Sequence, residues 1–164
     1  MDTTPTVAEA DTAGPLAIKP IEQQVLAIEI PAFLERLVDP DTRAHYQNLE
    51  RAVADGSVPL RLVGFLETLL ELLLPTQRVR RQHGPEAERA LSALFYRTPR
   101  GTGMKASADE VNKALTALQG QTLEAVTFSP NPSGQTLAID TAQCRLTLKI
   151  DRTGVRVERL EVGA

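Results

Sequence analysis

One stretch limits what this chain can fold into more than any other. Residues 60–74 hold Leu60, Leu62, Val63, Phe65, Leu66, Leu69, Leu70, Leu72, Leu73 and Leu74, and Arg78, Arg80 and Arg81 follow at once. These apolar positions are too dense for the alternation of a strand. Arg61, Gly64, Thr68 and Glu71 recur at steps of three and four, with Glu67 at their edge. The pattern predicts a helix that is apolar except for one narrow wet stripe, with Glu67 and Glu71 on that stripe. Such a helix must be covered on several sides. Ser57 is the expected N-cap, with Pro59 in the first turn. Pro75 either kinks the helix or forces a restart.

Burying those ten side chains contributes about 15–30 kcal/mol before entropy is counted. The helix is therefore either the core of the chain or, in part, a surface that meets another copy or another protein. It is not expected to span a membrane: the apolar run of fifteen residues falls short of the roughly 20 that a bilayer needs.

The rest of the chain supplies material to lay against this rod. Residues 1–20 are rich in Thr, Ala, Pro and acid, without periodicity, and are expected to form a disordered acidic tail. Residues 20–30 carry Ile21, Val25, Leu26, Ile28 and Ile30, which read as a short strand or an extended arm docked on its own domain or on a neighbouring subunit. Residues 31–38 read as a short helix. Asp39-Pro40 then opens another helix, with Tyr46, Leu49 and Val53 inward and Asp55-Gly56 at its end. A helix from Pro85 to Arg97 presents Ala87, Ala90, Leu91, Leu94 and Phe95. Residues 98–103 read as a loop. Ser107 and Glu110 form a capping box that opens a further helix through Leu118.

Beyond Gly120 the period changes to two. Strands are expected over residues 122–128, 135–140, 143–150 and 155–162, the last bulged near Glu158. Cys144, Leu146, Leu148 and Ile150 alternate with Gln143, Arg145, Thr147 and Lys149, so one face of the sheet is wet. Helices first and strands after predict an α+β fold. An N-terminal helical half of four to five helices packs on a C-terminal four-stranded antiparallel β-meander. Residues 21–164 are read as one domain, helical over 31–119 and β over 122–162, which suits a chain of 164 residues.

Charge is unevenly placed. Residues 78–105 hold Arg78, Arg80, Arg81, Arg89, Arg97, Arg100 and Lys105 against Glu86 and Glu88, a net of +5. The remaining 11 basic and 19 acidic residues give −8. These seven basic residues are the candidate binding site, for an acidic protein surface or for nucleic-acid phosphates. Basic residues also sit well at a helix C-terminus, where they complement the dipole. With four Phe, two Tyr and no Trp, the chain is poorly equipped for base-stacking platforms.

No arrangement of residues suits catalysis, zinc or a cofactor. Gly103 is followed by Met104, which breaks the phosphate-loop pattern around residues 98–105. Asp41 and His45 read as a surface pair, and His83 as a helix-end residue. Cys144, the single cysteine, is expected to be buried and inert. A lone thiol and a start without an apolar signal segment fit a cytoplasmic protein. The reading is a non-catalytic interaction or assembly module that binds itself or another subunit through the apolar helix and the arginine-rich surface. Nucleic-acid binding through residues 78–105 is the alternative, and a ligand pocket between elements the third.

Overall fold

The computed structural model describes residues 14–163. The fold is α+β, with six helices followed by a four-stranded antiparallel sheet. The chain divides into two compact units, one ending at Thr98 and the other starting at Pro99.

The first unit holds α1 (Pro20–Leu34), α2 (Pro40–Ala54), α3 (Leu60–Leu73), α4 (Arg78–His83) and α5 (Pro85–Phe95), with strands β1 (Leu16–Ala17) and β2 (Ser57–Val58). Helix α3 is its buried axis. Leu66, Leu69 and Leu70 are wholly buried, and Leu62, Val63 and Leu73 nearly so. They share one apolar cluster with Leu26 and Ile30 of α1, Leu49 and Val53 of α2, and Leu91 and Leu94 of α5. Of the large apolar residues of α3 only Leu60 and Leu72 are exposed, so little of its apolar surface remains for an outside partner. Helix α3 ends at Leu73, before Pro75, and a new helix starts at Arg78, which is the restart of the two alternatives and not the kink. Gln77, held at φ 54°, turns the chain into α4.

Asp39 caps α2 by accepting from the Thr42 backbone N–H at 2.8 Å. Hydrogen bonding to Thr42 holds the Asp39 carboxyl below the ordinary carboxylate range. Tyr46 donates its hydroxyl to the Phe65 carbonyl at 3.2 Å, and its ring packs edge-on against Phe33 and Phe65.

The structure corrects five expectations. Residues 20–30 are neither strand nor arm, and residues 31–38 are not a separate helix: α1 runs from Pro20 through Pro31 to Leu34, so the helical part begins at 20 and not 31. The buried positions Glu22, Val25, Leu26, Glu29, Ile30 and Leu34 follow the helical period. Two of them are glutamates, which hid that period. Residues 14–19 are not tail. Leu16 and Ala17 pair antiparallel with Val58 and Ser57, Ile18 is buried, and the first thirteen residues of the expected tail lie outside the described residues. Ser57 is consumed by that ladder, so Pro59 is the N-cap of α3. Glu67 is not on a wet stripe but 6% exposed.

The second unit holds α6 (Pro99–Thr116) and strands β3 (Leu123–Asn131), β4 (Gly134–Thr141), β5 (Cys144–Asp151) and β6 (Gly154–Val162), paired in chain order. Here too the reading is corrected. Residues 99–103 are the first turns of α6, and Ser107 lies inside that helix instead of opening it. Pro99 supplies the first-turn proline. Val111 and Ala114 pack on Leu146 and Leu148 of the sheet, and that tertiary contact outweighs the weak helix propensity of Gly101 and Gly103.

The strands lie as their alternation predicts. Cys144, Leu146 and Leu148 are buried, while Arg145 on the other face is exposed. Glu158 is the unpaired residue between Thr147↔Arg159 and Leu148↔Val157, which is the expected bulge. The β3–β4 and β5–β6 turns use one device. Asn131 accepts from the Ser133 N–H at 2.9 Å, and Asp151 accepts from the Thr153 N–H at 2.8 Å. Gly134 has φ 147°, and a Cβ there would collide with the Ile150 carbonyl oxygen, so no other residue fits.

Leu69→Ala is expected to lower the unfolding free energy by about 2–5 kcal/mol in a urea titration. A loss near zero would mean that α3 is not the tightly packed axis described.

Candidate binding groove

Two glutamates on α1 organise the basic stretch. Glu22 and Glu29 are seven residues apart, two helical turns, so they share one face. Both are almost completely buried, 1% and 2% exposed. Arg97, just past α5, brings its Nη2 to 2.6 and 2.7 Å from the two oxygens of Glu22. Its Nη1 donates to the Ala17 carbonyl at 2.9 Å, which pins β1 as well. Glu22 also accepts from the Lys19 N–H at 2.8 Å at the start of α1. Two turns on, Glu29 accepts from Arg78 Nε at 3.0 Å and pairs with His83 Nε2 at 2.8 Å, both from α4. Each carboxylate thus meets an arginine from a distant part of the chain and a second hydrogen-bonding group beside it.

The seven basic residues singled out from the sequence have different fates. Arg78 and Arg97 are engaged by these buried carboxylates. Arg80 lies 3.6 Å from Glu88 and is largely exposed. Arg89 donates to the Pro85 carbonyl of its own helix at 3.3 Å. Arg81 donates to the Thr76 carbonyl at 3.0 Å. Arg100 and Lys105 are exposed on α6, in the second unit. Within the first unit, Arg97 and Arg78 are anchored about 10 Å apart along α1, given a rise of 1.5 Å per residue.

Arg78 and Arg81 instead share a groove with a residue the sequence reading passed over, Arg36. Helix α1 contributes Ala32, Phe33 and, just beyond its end, Arg36. The end of α3 and the turn after it contribute Leu72, Leu73 and Thr76, and α4 contributes Arg78, Arg81 and Gln82. The groove encloses about 650 Å³. Its lining combines apolar Ala32, Phe33, Leu72 and Leu73 with three arginines. Among the described residues no carboxylate pairs with Arg36 or Arg81, while Arg78 is held from behind by Glu29. Leu72 is 52% exposed here, more than the other exposed large apolar residue of α3, Leu60. Sequence gave no direct signal for Arg36, because its neighbours Thr76 and Arg81 are forty or more positions away.

The histidines are structural. His45 stacks on Phe65 with ring centroids 4.5 Å apart instead of forming a pair with Asp41, and His83 is spent on Glu29. Cys144 is a buried free thiol. Among the described residues no group of three or more His, Cys, Asp or Glu is placed to hold a metal ion, and no helix is long and apolar enough to cross a membrane.

Glu29→Ala is expected to cost about 3 kcal/mol of stability in urea unfolding. That is the low end for removing one member of a buried pair, because Arg78 is 31% exposed and regains water. Glu88→Gln, which frees only Arg80, should change stability by less than about 0.5 kcal/mol. Equal effects from the two substitutions would contradict the contrast between internal and surface pairs.

Comparison with protein-family models, with curated proteins and with solved structures finds no match to this chain.

Proposed function

We propose that this protein is a non-catalytic interaction module. Its helical unit captures an acidic segment of a protein partner, with apolar side chains of that segment against the apolar lining of the groove. The observation that carries this reading is the groove between α1, α3 and α4, which Phe33, Leu72 and Leu73 line together with Arg36, Arg78 and Arg81. An apolar lining rewards buried side chains, and guanidinium groups select carboxylates and hold them bidentately. Arg78 is held in place by its Nε bond to the buried carboxylate of Glu29, and Arg81 by its bond to the Thr76 carbonyl.

Nucleic acid is the weaker reading of the same residues. Arg78 and Arg97 each neutralise a buried carboxylate, which reduces the positive field that phosphates would meet. A volume of about 650 Å³ also falls in the range of small-molecule sites, so a small amphipathic carboxylate is the second candidate for the groove. A cytoplasmic setting belongs to the proposal, in keeping with the lone buried thiol of Cys144.

Affinity capture from the native cell tests this reading, with the full chain as bait, with and without nuclease. The partner is expected to survive nuclease and to be lost when Arg36 and Arg81 are both changed to Glu, substitutions that leave the Glu29 pair intact. Capture that disappears with nuclease would favour nucleic acid, and capture unchanged by the double substitution would remove the groove from the account.

A further inference from the structure

We infer that the free edge of β3 pairs antiparallel with β3 of a second copy, across a two-fold axis through Thr127, joining two meanders into one eight-stranded sheet. This surface lies in the second unit and is independent of the groove.

The two edges of the sheet are unlike. Strand β6 carries Arg156, Glu158, Arg159 and Glu161 and is bulged at Glu158. Charges and bulges are the usual means of keeping an edge from pairing. Strand β3 lacks them along its middle. Residues 125–129 read Ala-Val-Thr-Phe-Ser without a charge, and every one is exposed. The single charged residue of β3, Glu124, sits at a register shift between Leu123 and Ala125. Val126 and Phe128 are each 56% exposed, a large apolar surface for an edge strand.

Proline sets the hydrogen-bonding parity of that edge. Pro130 pairs with Gln135 of β4 and has no N–H to give, so its nitrogen belongs on the side away from β4. Phe128 and Val126, two and four residues earlier, then direct their N–H and C=O groups to the same open side. A two-fold axis at Thr127 places Val126 opposite Phe128 of the copy, so that these outward groups exchange hydrogen bonds on both sides of the axis. The side chains agree. Val126 and Phe128 share the sheet face of Ile139 and Leu137, so each β-branched residue meets an aromatic ring across the junction. Thr127 meets Thr127 on the opposite face. Glu124 meets Pro130, which keeps the two carboxylates of the dimer apart and ends the ladder. A second copy is therefore complementary to this edge in hydrogen bonding, in packing and in charge.

Thr127 gives a sharp test in the full chain. In a non-hydrogen-bonded antiparallel pair the Cα atoms lie about 4.5 Å apart, within the range a disulfide spans. Thr127→Cys is expected to form a covalent dimer under mild oxidation. Val126→Cys, which faces Phe128, is expected to cross-link poorly. Cys144 is buried and does not compete. Sedimentation of the unmodified chain at tens of micromolar should give twice the chain mass, and Thr127→Lys, which sets two ammonium groups face to face, should return it to the monomer. A monomeric unmodified chain, a dimer insensitive to Thr127→Lys, or equal cross-linking at positions 126 and 127 would each overturn the proposal. Should Thr127→Lys disturb the far-UV circular dichroism, the cysteine pair decides by itself. Binding of an extended segment of another protein along β3, with no dimer, would also count against it.

Discussion

The first unit depends on two carboxylates taken out of water. A glutamate buried to 1 or 2% exposure is tolerated only when its charge is met by cations and its oxygens by donors. Glu22 and Glu29 meet that demand from opposite ends of one face of α1, one through Arg97 and the other through Arg78 and His83. Ion pairs of this kind contribute little net stability relative to a well-packed apolar alternative. What they fix is arrangement. Helix α1 cannot slide by a turn along its neighbours without stranding a buried charge, and the turn after α5 is tied to β1 through the same guanidinium that serves Glu22.

That constraint reinterprets the most conspicuous feature of the composition. The +5 of residues 78–105 looks like a surface for anions when read as a linear run. Two of its arginines are internal counter-ions, one is paired with Glu88, and one bonds its own helix. In the first unit, what remains for a partner is smaller and more specific: Arg81 and Arg78, joined by Arg36 in a groove with apolar lining, while Arg100 and Lys105 belong to the second unit. The second unit repeats the lesson with an apolar surface. Helix α6 covers Leu146 and Leu148, while Val126 and Phe128 near the far edge stay exposed.

The parts of this architecture that were legible in the sequence are those in which one residue class carries the pattern. The run of leucines in α3, the alternation of residues 143–150, the stop at Pro75 and the bulge at Glu158 all follow from spacing alone. Helix α1 was missed because its buried face mixes Glu22 and Glu29 with Val25, Leu26, Ile30 and Leu34. Counting only apolar residues leaves Ile21, Val25, Leu26, Ile28 and Ile30, whose last three alternate as in a strand. Charged residues spaced by seven inside an apolar segment, in a chain with an excess of arginine elsewhere, were the available signal. The start of α6 was missed because Gly101, Thr102 and Gly103 have loop-like propensities, while packing of Val111 and Ala114 on the sheet favours a continuous helix. Arg36 was not recoverable, since only the folded chain brings the end of α1 to α4.

The most direct test of this account is a double-mutant cycle on Glu22 and Arg97, read by urea unfolding of Glu22→Gln, Arg97→Met and the combination. An internal pair on which the placement of α1 depends predicts coupling well above about 0.5 kcal/mol, with the double variant less damaged than the sum of the two single losses. Additive effects would show that Arg97 and Glu22 do not act on one another, and the structural assignment of the basic stretch would fail with them.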